Sequence, residues 1–138
     1  MRPIEARTRF ASARVARLAT FDGQRPHLVP LVFVVHTDTI YSAVDTKPKR
    51  STDLRRLNNV RSFPAVSVLV DHYDDADWAE LWWVRADGRG RVLQADRPEA
   101  RHAVALLVER YPAYRRQRPH GDVLAVDVVR WIGWSAHS

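Results

Sequence analysis

The sequence predicts a mainly β protein, a small barrel of about six to seven mostly antiparallel strands with helices at its ends. Runs of β-branched and aromatic residues outnumber the helical patterns. Asp-Gly dipeptides, which favour tight turns, follow two of these runs. The chain of 138 residues is long enough to bury a core, and it contains no repeat or Gly/Ser linker. We therefore expect one domain over residues 1–138 and not a doubly wound α/β sheet.

The strands are predicted in chain order. Residues 15–20 lead through Asp22-Gly23 into the apolar run His27–His36, which predicts a hairpin with a buried second strand. Pro30 cannot donate to a ladder, so we expect it at an edge, at a bulge or where another group approaches the backbone. Further strands are predicted over residues 39–44, 65–70, 81–86, 89–93 and 123–134, with Asp87-Gly88 as a second tight turn.

Three segments have helical patterns. The clearest spans residues 96–111, where apolar residues recur at helical spacing and Pro98 lies in the first turn. Asp96 and Glu99 have the spacing of a capping box at its start. Shorter helices are predicted from Ser51 or Thr52 to about Arg61, and over residues 4–12.

Composition excludes several classes of protein. The absence of Cys excludes disulfides, thiolate metal sites and a Cys nucleophile, and it fits a reducing cytoplasm. No secretory signal pattern and no membrane-length apolar run is present, so we expect a cytoplasmic protein without a membrane partner. The six His residues form no local zinc motif, the acidic stretch 71–80 lacks the spacing of an EF-hand loop, and no hydrolase-elbow, Rossmann or P-loop motif occurs. We predict no metal site and identify no catalytic residue.

The basic residues contain one informative cluster. The chain carries 20 Arg and only two Lys, with a net charge of +6, and both Lys lie in Lys47-Pro-Lys-Arg50. Ser51 and Thr52 follow, at the predicted start of a helix whose free N–H groups and dipole favour anions. These features suit a phosphate. The alternative is a solvated basic loop in front of an ordinary helix start.

Two aromatic features also have both a functional and a structural interpretation. Trp82 and Trp83 are neighbours on a predicted strand and must point to opposite faces, so at most one lines the interior while the other packs under a helix or against a partner subunit. Plain core packing is the alternative. A basic and aromatic cluster follows the long helix, but no nucleic-acid motif accompanies it, so we expect no nucleic-acid partner. Its members are Arg110, Tyr111, Tyr114, Arg115, Arg116 and Arg118.

Seven segments, taken in order, resemble one family over nearly the whole chain. The segments are Ala16-Arg-Leu-Ala-Thr, Pro26-His-Leu-Val-Pro-Leu-Val-Phe, Ile40-Tyr-Ser-Ala-Val-Asp-x-Lys-Pro-Lys-Arg, Leu54-Arg-Arg-Leu-x-Asn, Val66-Ser-Val-Leu-Val-Asp-His-Tyr, Leu81-Trp-Trp-Val-Arg-Ala-Asp-Gly and Arg130-Trp-Ile-Gly-Trp. The chain resembles the flavin and deazaflavin oxidoreductases of the pyridoxamine-phosphate-oxidase-like, split β-barrel superfamily. Within that superfamily it resembles the F420-dependent actinobacterial branch.

The resemblance implies an FMN-binding type of split barrel that forms a homodimer, with two cofactor sites at the subunit interface. The ring of the cofactor would lie against the second and third strands, and its phosphate would be held by the basic segment. The cofactor-binding residues that it implies are Val29, Pro30, Leu31, Val32, Val44, Asp45, Lys47, Lys49, Arg50, Ser51, Trp82 and Trp83.

The resemblance also implies a reaction. The first expectation is an F420-dependent reductase that transfers a hydride between the deazaflavin and a small organic substrate, because the acidic tail of F420 suits a basic protein. An FMN-dependent oxidoreductase of the same fold and a non-catalytic cofactor-binding protein remain open alternatives. Vitamin B6 oxidation is not expected, because Trp131-Ile-Gly-Trp-Ser-Ala136 lacks the arginines of the C-terminal pattern found in true pyridoxamine-phosphate oxidases.

Overall fold

The computed structural model describes the backbone of residues 1–44 and 51–137, and the side chains of residues 1–44 and 55–137. Within these residues seven strands form one antiparallel sheet in the order β2-β1-β5-β6-β7-β4-β3. A short 3-10 helix, Trp78–Glu80, precedes β6. The elements are α1 (Pro3–Ser12), β1 (Ala16–Phe21), β2 (Pro26–Leu31), β3 (Val34–His36), β4 (Thr39–Ala43), α2 (Ser51–Ser62), β5 (Ala65–His72), β6 (Trp82–Leu93), α3 (Pro98–Arg110), α4 (Pro112–Arg116) and β7 (Val123–Ser135).

The connection between β2 and β3 shows that the sheet is curled. These strands lie at the two ends of the strand order, yet only Val32 and Phe33 separate them in the chain. Three Cα steps reach about 11 Å, whereas six strand spacings would hold the edges of a flat sheet about 29 Å apart. The sheet therefore closes on itself, which confirms the predicted mainly β, split-barrel fold.

The described residues form two apolar cores, one inside the barrel and one between α3 and the outer surface of the sheet. The inner core is formed by the inward residues of the strands, together with Phe10 of α1 and Val60 of α2. The second core lies outside the barrel, where α3 packs Ala103 and Val104 onto Val123 of β7. None of the helices in the described part of the chain is long and apolar enough to cross a lipid bilayer.

The prediction of one buried strand over His27–His36 is wrong. The run forms two strands, β2 and β3, which occupy the two edges of the sheet order, and β2 is largely exposed. An apolar run indicates burial only if both of its faces are covered, and the outward face of β2 is bare in this chain. Pro30 lies on this edge strand, as expected for a residue without an N–H group.

The prediction of a tight turn at Asp87-Gly88 is also wrong. Residues 82–93 form one strand, and the dipeptide lies at a β-bulge where the register with β7 shifts between Asp87 and Gly88. A Cβ added to Gly88 would lie inside van der Waals contact of the Asp127 carbonyl oxygen and 3.0 Å from its carbon. Glycine is therefore required here by the close approach of β7.

The predicted capping box at Asp96 and Glu99 is not formed. The N-cap of α3 is Arg97, which makes no side-chain cap, and Pro98 begins the helix. Glu99 turns instead to the sheet, where it accepts hydrogen bonds from Arg91 (2.9 and 3.0 Å) and from the hydroxyl of Tyr41 (2.7 Å). These long-range, charge-assisted bonds are stronger than a local cap, and they attach α3 to the barrel.

Candidate functional site

The crossover from β2 to β3 brings part of the predicted site together. Alternation along β2 places Val29 against the inner core and buries Leu31, while Pro30 points outward. The hydroxyl of Ser42 donates to the Val32 carbonyl oxygen over 2.8 Å. Val44 follows β4 directly and is buried. The structure thus joins Val32 to Ser42, two residues before Val44 in the chain, but it does not give the four residues 29–32 a common face.

Tyr111 fixes this crossover in place. Its buried hydroxyl accepts a hydrogen bond from the Phe33 N–H over 3.1 Å. The same hydroxyl donates to one of two carbonyl oxygens, that of Phe33 at 2.8 Å or that of Arg14 at 3.0 Å. Arg14 also lies over the tyrosine ring, 4.6 Å from its centre. Sequence reasoning assigned Tyr111 to a helix end and a basic cluster, because nothing local in the sequence signals a bond to Phe33, 78 residues earlier.

Four predicted cofactor-binding residues, Asp45 and the phosphate ligands Lys47, Lys49 and Arg50, lie outside the described residues, as does the side chain of Ser51. Their flanks are described. The Val44 N–H donates to the Asp122 carbonyl oxygen over 3.0 Å, and the α2 backbone begins at residue 51. The described chain before residues 45–50 therefore reaches the N-terminal end of β7 at Val44, and the described chain after them begins with the N-terminus of a 12-residue helix.

The two predicted tryptophans lie on opposite faces of β6. Trp82 packs against the inner core, with the Arg9 guanidinium 5.5 Å from its ring centre and the His72 ring stacked at 6.1 Å. Trp83 is paired with Asp71 of β5 and Trp134 of β7, on the outward face. Trp83 is half-buried on this face, so part of its ring is accessible to a ligand.

Trp83 lines an aromatic pocket of about 510 Å³, a volume within the range of small-molecule sites. Its walls carry three indoles, a phenol and an imidazole, and its charged residues, Asp71 and Arg85, each have a partner. The register of three strands assembles the pocket, which is why the sequence did not reveal Tyr73 or Trp134 as members. The lining residues are Leu69, Asp71, His72, Tyr73, Leu81, Trp82, Trp83, Arg85 and Trp134.

The pocket belongs to a larger bare surface, which we call the outer wall. It consists of the outward residues of β2, β1, β5 and β6 and of the C-terminal half of β7. Large apolar side chains are exposed there, among them Leu28 (72%) and Trp134 (46%). Three rows of paired residues cross the wall, each given in the strand order β2, β1, β5, β6 and β7. The first row is Pro30, Arg17, Leu69, Arg85 and Ile132, and the second is Leu28, Ala19, Ser67, Asp87 and Arg130. The third row begins at β5 and is Asp71, Trp83 and Trp134.

A charged cluster lies at the centre of the outer wall. Asp87 accepts hydrogen bonds from Arg85 (2.8 and 3.2 Å), Ser67 (2.8 Å) and Arg130 (3.0 Å). Burial acts to raise the pKa of Asp87, but these three donors outweigh it and hold the pKa below its usual value. Asp87 is therefore a fixed anion that orients two guanidinium groups, and it is a poor candidate for a general acid.

Val44, the last described residue before the basic segment, and the aromatic pocket lie toward opposite ends of β7. The last residue pair of β4 is Ala43 with Val123, whereas Trp83 pairs with Trp134, eleven residues further along β7. Eleven residues correspond to about 36 Å of strand. Trp82 neighbours Arg9 of α1, while Asp122, which binds Val44, neighbours Arg61 of α2 at 4.0 Å. Of the predicted site residues that the structure describes, Val44 and Trp83 therefore do not lie together within one chain.

Comparisons with solved structures show which proteins share this fold. A FAD-binding protein from Mesorhizobium loti is 20% identical, with a TM-score of 0.73 over 96% of this chain and 94% of that chain. A conserved hypothetical protein from Mycobacterium tuberculosis is 23% identical, with a TM-score of 0.76 over 99% and 86%. The heme storage protein HutZ from Vibrio cholerae is 17% identical, with a TM-score of 0.71 over 98% and 95%. These likenesses show a common fold.

The sequence itself carries a family signature. No protein of curated function matches it significantly. The family model described as pyridoxamine 5'-phosphate oxidase matches residues 3–135, from the first helix to the last strand. The chain belongs to the pyridoxamine 5'-phosphate oxidase family.

Proposed function

We propose that this protein is an oxidoreductase that binds F420 and transfers a hydride between this deazaflavin and a small organic substrate. One observation carries the proposal: in a chain of this family, both lysines fall in the segment between Val44 and the start of α2. The first turn of a helix together with Lys and Arg side chains is a strong phosphate site. F420 continues from its phosphate into an acidic tail, which suits a chain of net charge +6.

The described residues fit a cofactor with a flat ring. The aromatic pocket offers indole faces on which such a ring can stack, and its size fits a small ligand. The crossover at Val32 and Phe33 is held by Ser42 and Tyr111, so that its backbone would not need to be ordered on binding. Both features support a preorganised site.

We further propose that the chain acts as a homodimer and that the partner supplies the aromatic pocket to each site. Val44, which precedes the basic segment in the chain, and Trp83 lie beside opposite ends of β7, so we expect a ligand that contacts both the basic segment and a Trp83 ring to use residues of two subunits. The bare outer wall, with Leu28 and Trp134 exposed, is the surface that a second copy would cover.

The chemistry divides between cofactor and protein. A bound deazaflavin or flavin supplies hydride transfer. The residues of this chain would hold the phosphate through Lys47 and Lys49, exclude water from the ring with the apolar outer wall, and fix the surrounding charges through Asp87. Asp87 is held ionised by its three donors, so we assign no proton transfer to it.

The first experiment is a fluorescence titration of the purified protein with F420 and, separately, with FMN. We expect F420 to bind more tightly. Replacing Lys47 and Lys49 together by Ala should weaken binding by about tenfold or more, since a charge-assisted hydrogen bond contributes about 1.5–3 kcal/mol. The matched control is Arg115→Ala with Arg116→Ala, which removes the same charge from exposed positions on α4.

Two results would overturn the F420 proposal. Tight binding of FMN without binding of F420 would reject F420 as the cofactor. Equal loss of affinity in the lysine variant and the arginine variant would show a nonspecific effect of net charge and would leave the basic segment as a solvated loop.

The sharing of the site between subunits is tested by mixing two defective chains. One carries Lys47→Ala and Lys49→Ala, and the other carries Trp83→Leu. If the partner supplies Trp83, a mixed dimer has one intact site and one doubly damaged site, and an equal mixture regains about a quarter of the wild-type sites. If both groups served a site within one chain, every site would stay damaged and mixing would restore nothing.

A flavin-dependent oxidoreductase is the second candidate. The observation that favours it is that two proteins of the same fold, from Mesorhizobium loti and Mycobacterium smegmatis, are described as FAD-binding. A protein that purifies yellow and retains FMN or FAD through gel filtration would support this candidate over F420.

A cofactor carrier without turnover is the third candidate. HutZ shares the fold and is described as a heme storage protein, so the fold alone does not imply catalysis. Reduced F420 that binds, but is not oxidised in the presence of any tested electron acceptor, would favour the carrier.

A further inference from the structure

Two histidines from different elements meet at the surface away from the outer wall. His36 ends the edge strand β3, and His102 lies on α3, which packs over β3 through the core around Val34. Their ring centres are 5.0 Å apart, with an angle of 72° between the ring planes. A strand and a helix that share one core hold them in this position.

Their separation matches the geometry of two imidazoles on one metal ion. A metal–nitrogen bond of about 2.1 Å places each ring centre about 3.2 Å from the ion. The two ring centres are then about 5.2 Å apart if the nitrogen–metal–nitrogen angle is tetrahedral, and about 4.5 Å apart if it is a right angle. The observed 5.0 Å lies between these values. Both residues are exposed, so each ring can turn about χ2 to direct a nitrogen at a shared ion.

The ring nitrogens of this pair are available. Neither imidazole has a hydrogen bond or ion pair with another residue among 1–44 and 55–137; their mutual ring contact is their interaction. The nearby carboxylates have other partners. Glu99, one turn before His102, is held by Arg91, and Asp38 lies beside Arg7 at 3.6 Å and accepts a bond from Trp131.

We propose that His36 and His102 form a two-histidine site for a divalent transition-metal ion. Within the described chain no group of three or more His, Asp or Glu side chains surrounds this or any other point, so water completes the coordination. Imidazole ligands favour Zn²⁺, Ni²⁺ and Cu²⁺ over Mg²⁺ and Ca²⁺, and Cu²⁺ is bound most tightly of these ions. The site is independent of the proposed cofactor and of its basic segment.

The site would stabilise one particular part of the fold. β3 is the shortest strand, with three residues, and it lies at an edge of the sheet order. A metal ion bound to both histidines would join this edge to α3. Because the ion would bind the folded chain in preference to the unfolded one, it would raise the unfolding temperature, by an amount that grows with the logarithm of the ion concentration relative to Kd.

The test is calorimetric titration of the whole protein with Cu²⁺ in a non-chelating buffer, together with electron paramagnetic resonance of the bound ion. We expect saturable 1:1 binding, with hyperfine coupling to two imidazole nitrogens. His36→Ala and His102→Ala should each weaken binding roughly tenfold or more, since even outer-shell partners of metal ligands contribute 10- to 100-fold. Zn²⁺ should raise the unfolding temperature of the wild type and not that of the double variant.

The matched control is His120→Ala, which removes another exposed histidine, between α4 and β7, and should leave Cu²⁺ binding unchanged. The double variant keeps the other four histidines and the N-terminal amine. If the double variant binds Cu²⁺ as tightly as the wild type, or if the wild type shows no saturable binding, the proposal is overturned. His102→Gln replaces His102→Ala if the alanine variant does not fold.

Discussion

Replacing Glu99 by Gln removes the carboxylate that attaches α3 to the barrel. Glu99 accepts two hydrogen bonds from Arg91 and one from Tyr41. Arg91 also binds Asp127 of β7 over 2.6 and 3.0 Å. Burial, and then the bond to Glu99, raises the pKa of Tyr41 to about 12, so that its hydroxyl remains a donor. A glutamine at position 99 keeps the shape but loses the charge that these donors face.

The size of the effect follows from the shift in pKa. Hydrogen bonds from Arg91, and then from Tyr41, lower the pKa of Glu99 from 4.5 to about 2. Each pKa unit corresponds to about 1.36 kcal/mol, which sets a ceiling of about 3.4 kcal/mol. Because 37% of the side-chain surface is exposed, solvent screens part of this energy. We expect Glu99→Gln to lower the free energy of unfolding by about 1–2 kcal/mol near neutral pH.

The sign of the pH dependence gives the sharper test. A carboxyl group whose pKa is lower in the folded state stabilises the fold fully above its unfolded pKa, and this stability is lost as the pH falls toward the folded pKa. Urea unfolding of both proteins should therefore show a difference that shrinks between pH 4.5 and about pH 2.

The control is Glu109→Gln on the same helix, where the carboxylate is exposed and has no ion pair among the described residues. This variant should match the wild type at every pH. If the difference in free energy of unfolding between Glu99→Gln and the wild type stays constant on acidification, the variant has lost packing and not charge. If that difference grows, the pKa of Glu99 is not lowered in the folded state.

Two further substitutions test the backbone of the barrel. In urea unfolding, Gly88→Ala should destabilise the protein by about 1–3 kcal/mol more than Gly133→Ala. The new methyl group meets the backbone of Asp127 at position 88, but only the flexible side chain of Met1 at position 133. Equal losses of stability would contradict this prediction. Tyr111→Phe should cost about 1–3 kcal/mol, because it leaves a buried amide without an acceptor, and unchanged stability would show that the hydroxyl does not hold the crossover.

The parts of the fold that local chemistry determines could be predicted from the sequence. Pro98 begins α3, and Asp22-Gly23 ends β1, where the Asp22 carboxylate accepts from two backbone N–H groups. Asp87-Gly88 has the same local signature, yet it lies inside a continuous strand. The difference is the pairing with β7, a contact about 40 residues away that no local pattern contains.

The candidate site divides in the same way. The basic segment could be proposed from residue types alone, because charge and a helix start are adjacent in the chain. The aromatic pocket could not, because Trp83 and Trp134 become neighbours only through the register of β6 with β7. For the same reason, the sequence could not reveal that the pocket and Val44 lie beside opposite ends of β7.

A single bulge residue decides which side chains of β7 point outward on either side of it. Arg130 pairs with Asp87 and Val128 pairs with Gly88, so Val129 has no partner across the ladder. An extra residue reverses the alternation of the strand. Before it, odd-numbered residues such as Val123 point outward and are covered by α3; after it, even-numbered residues such as Trp134 point outward. Strict alternation would have placed Trp134 inside the barrel. The bulge at Val129 therefore places Ile132 and Trp134 on the outer wall, the surface on which the proposed partner and cofactor depend.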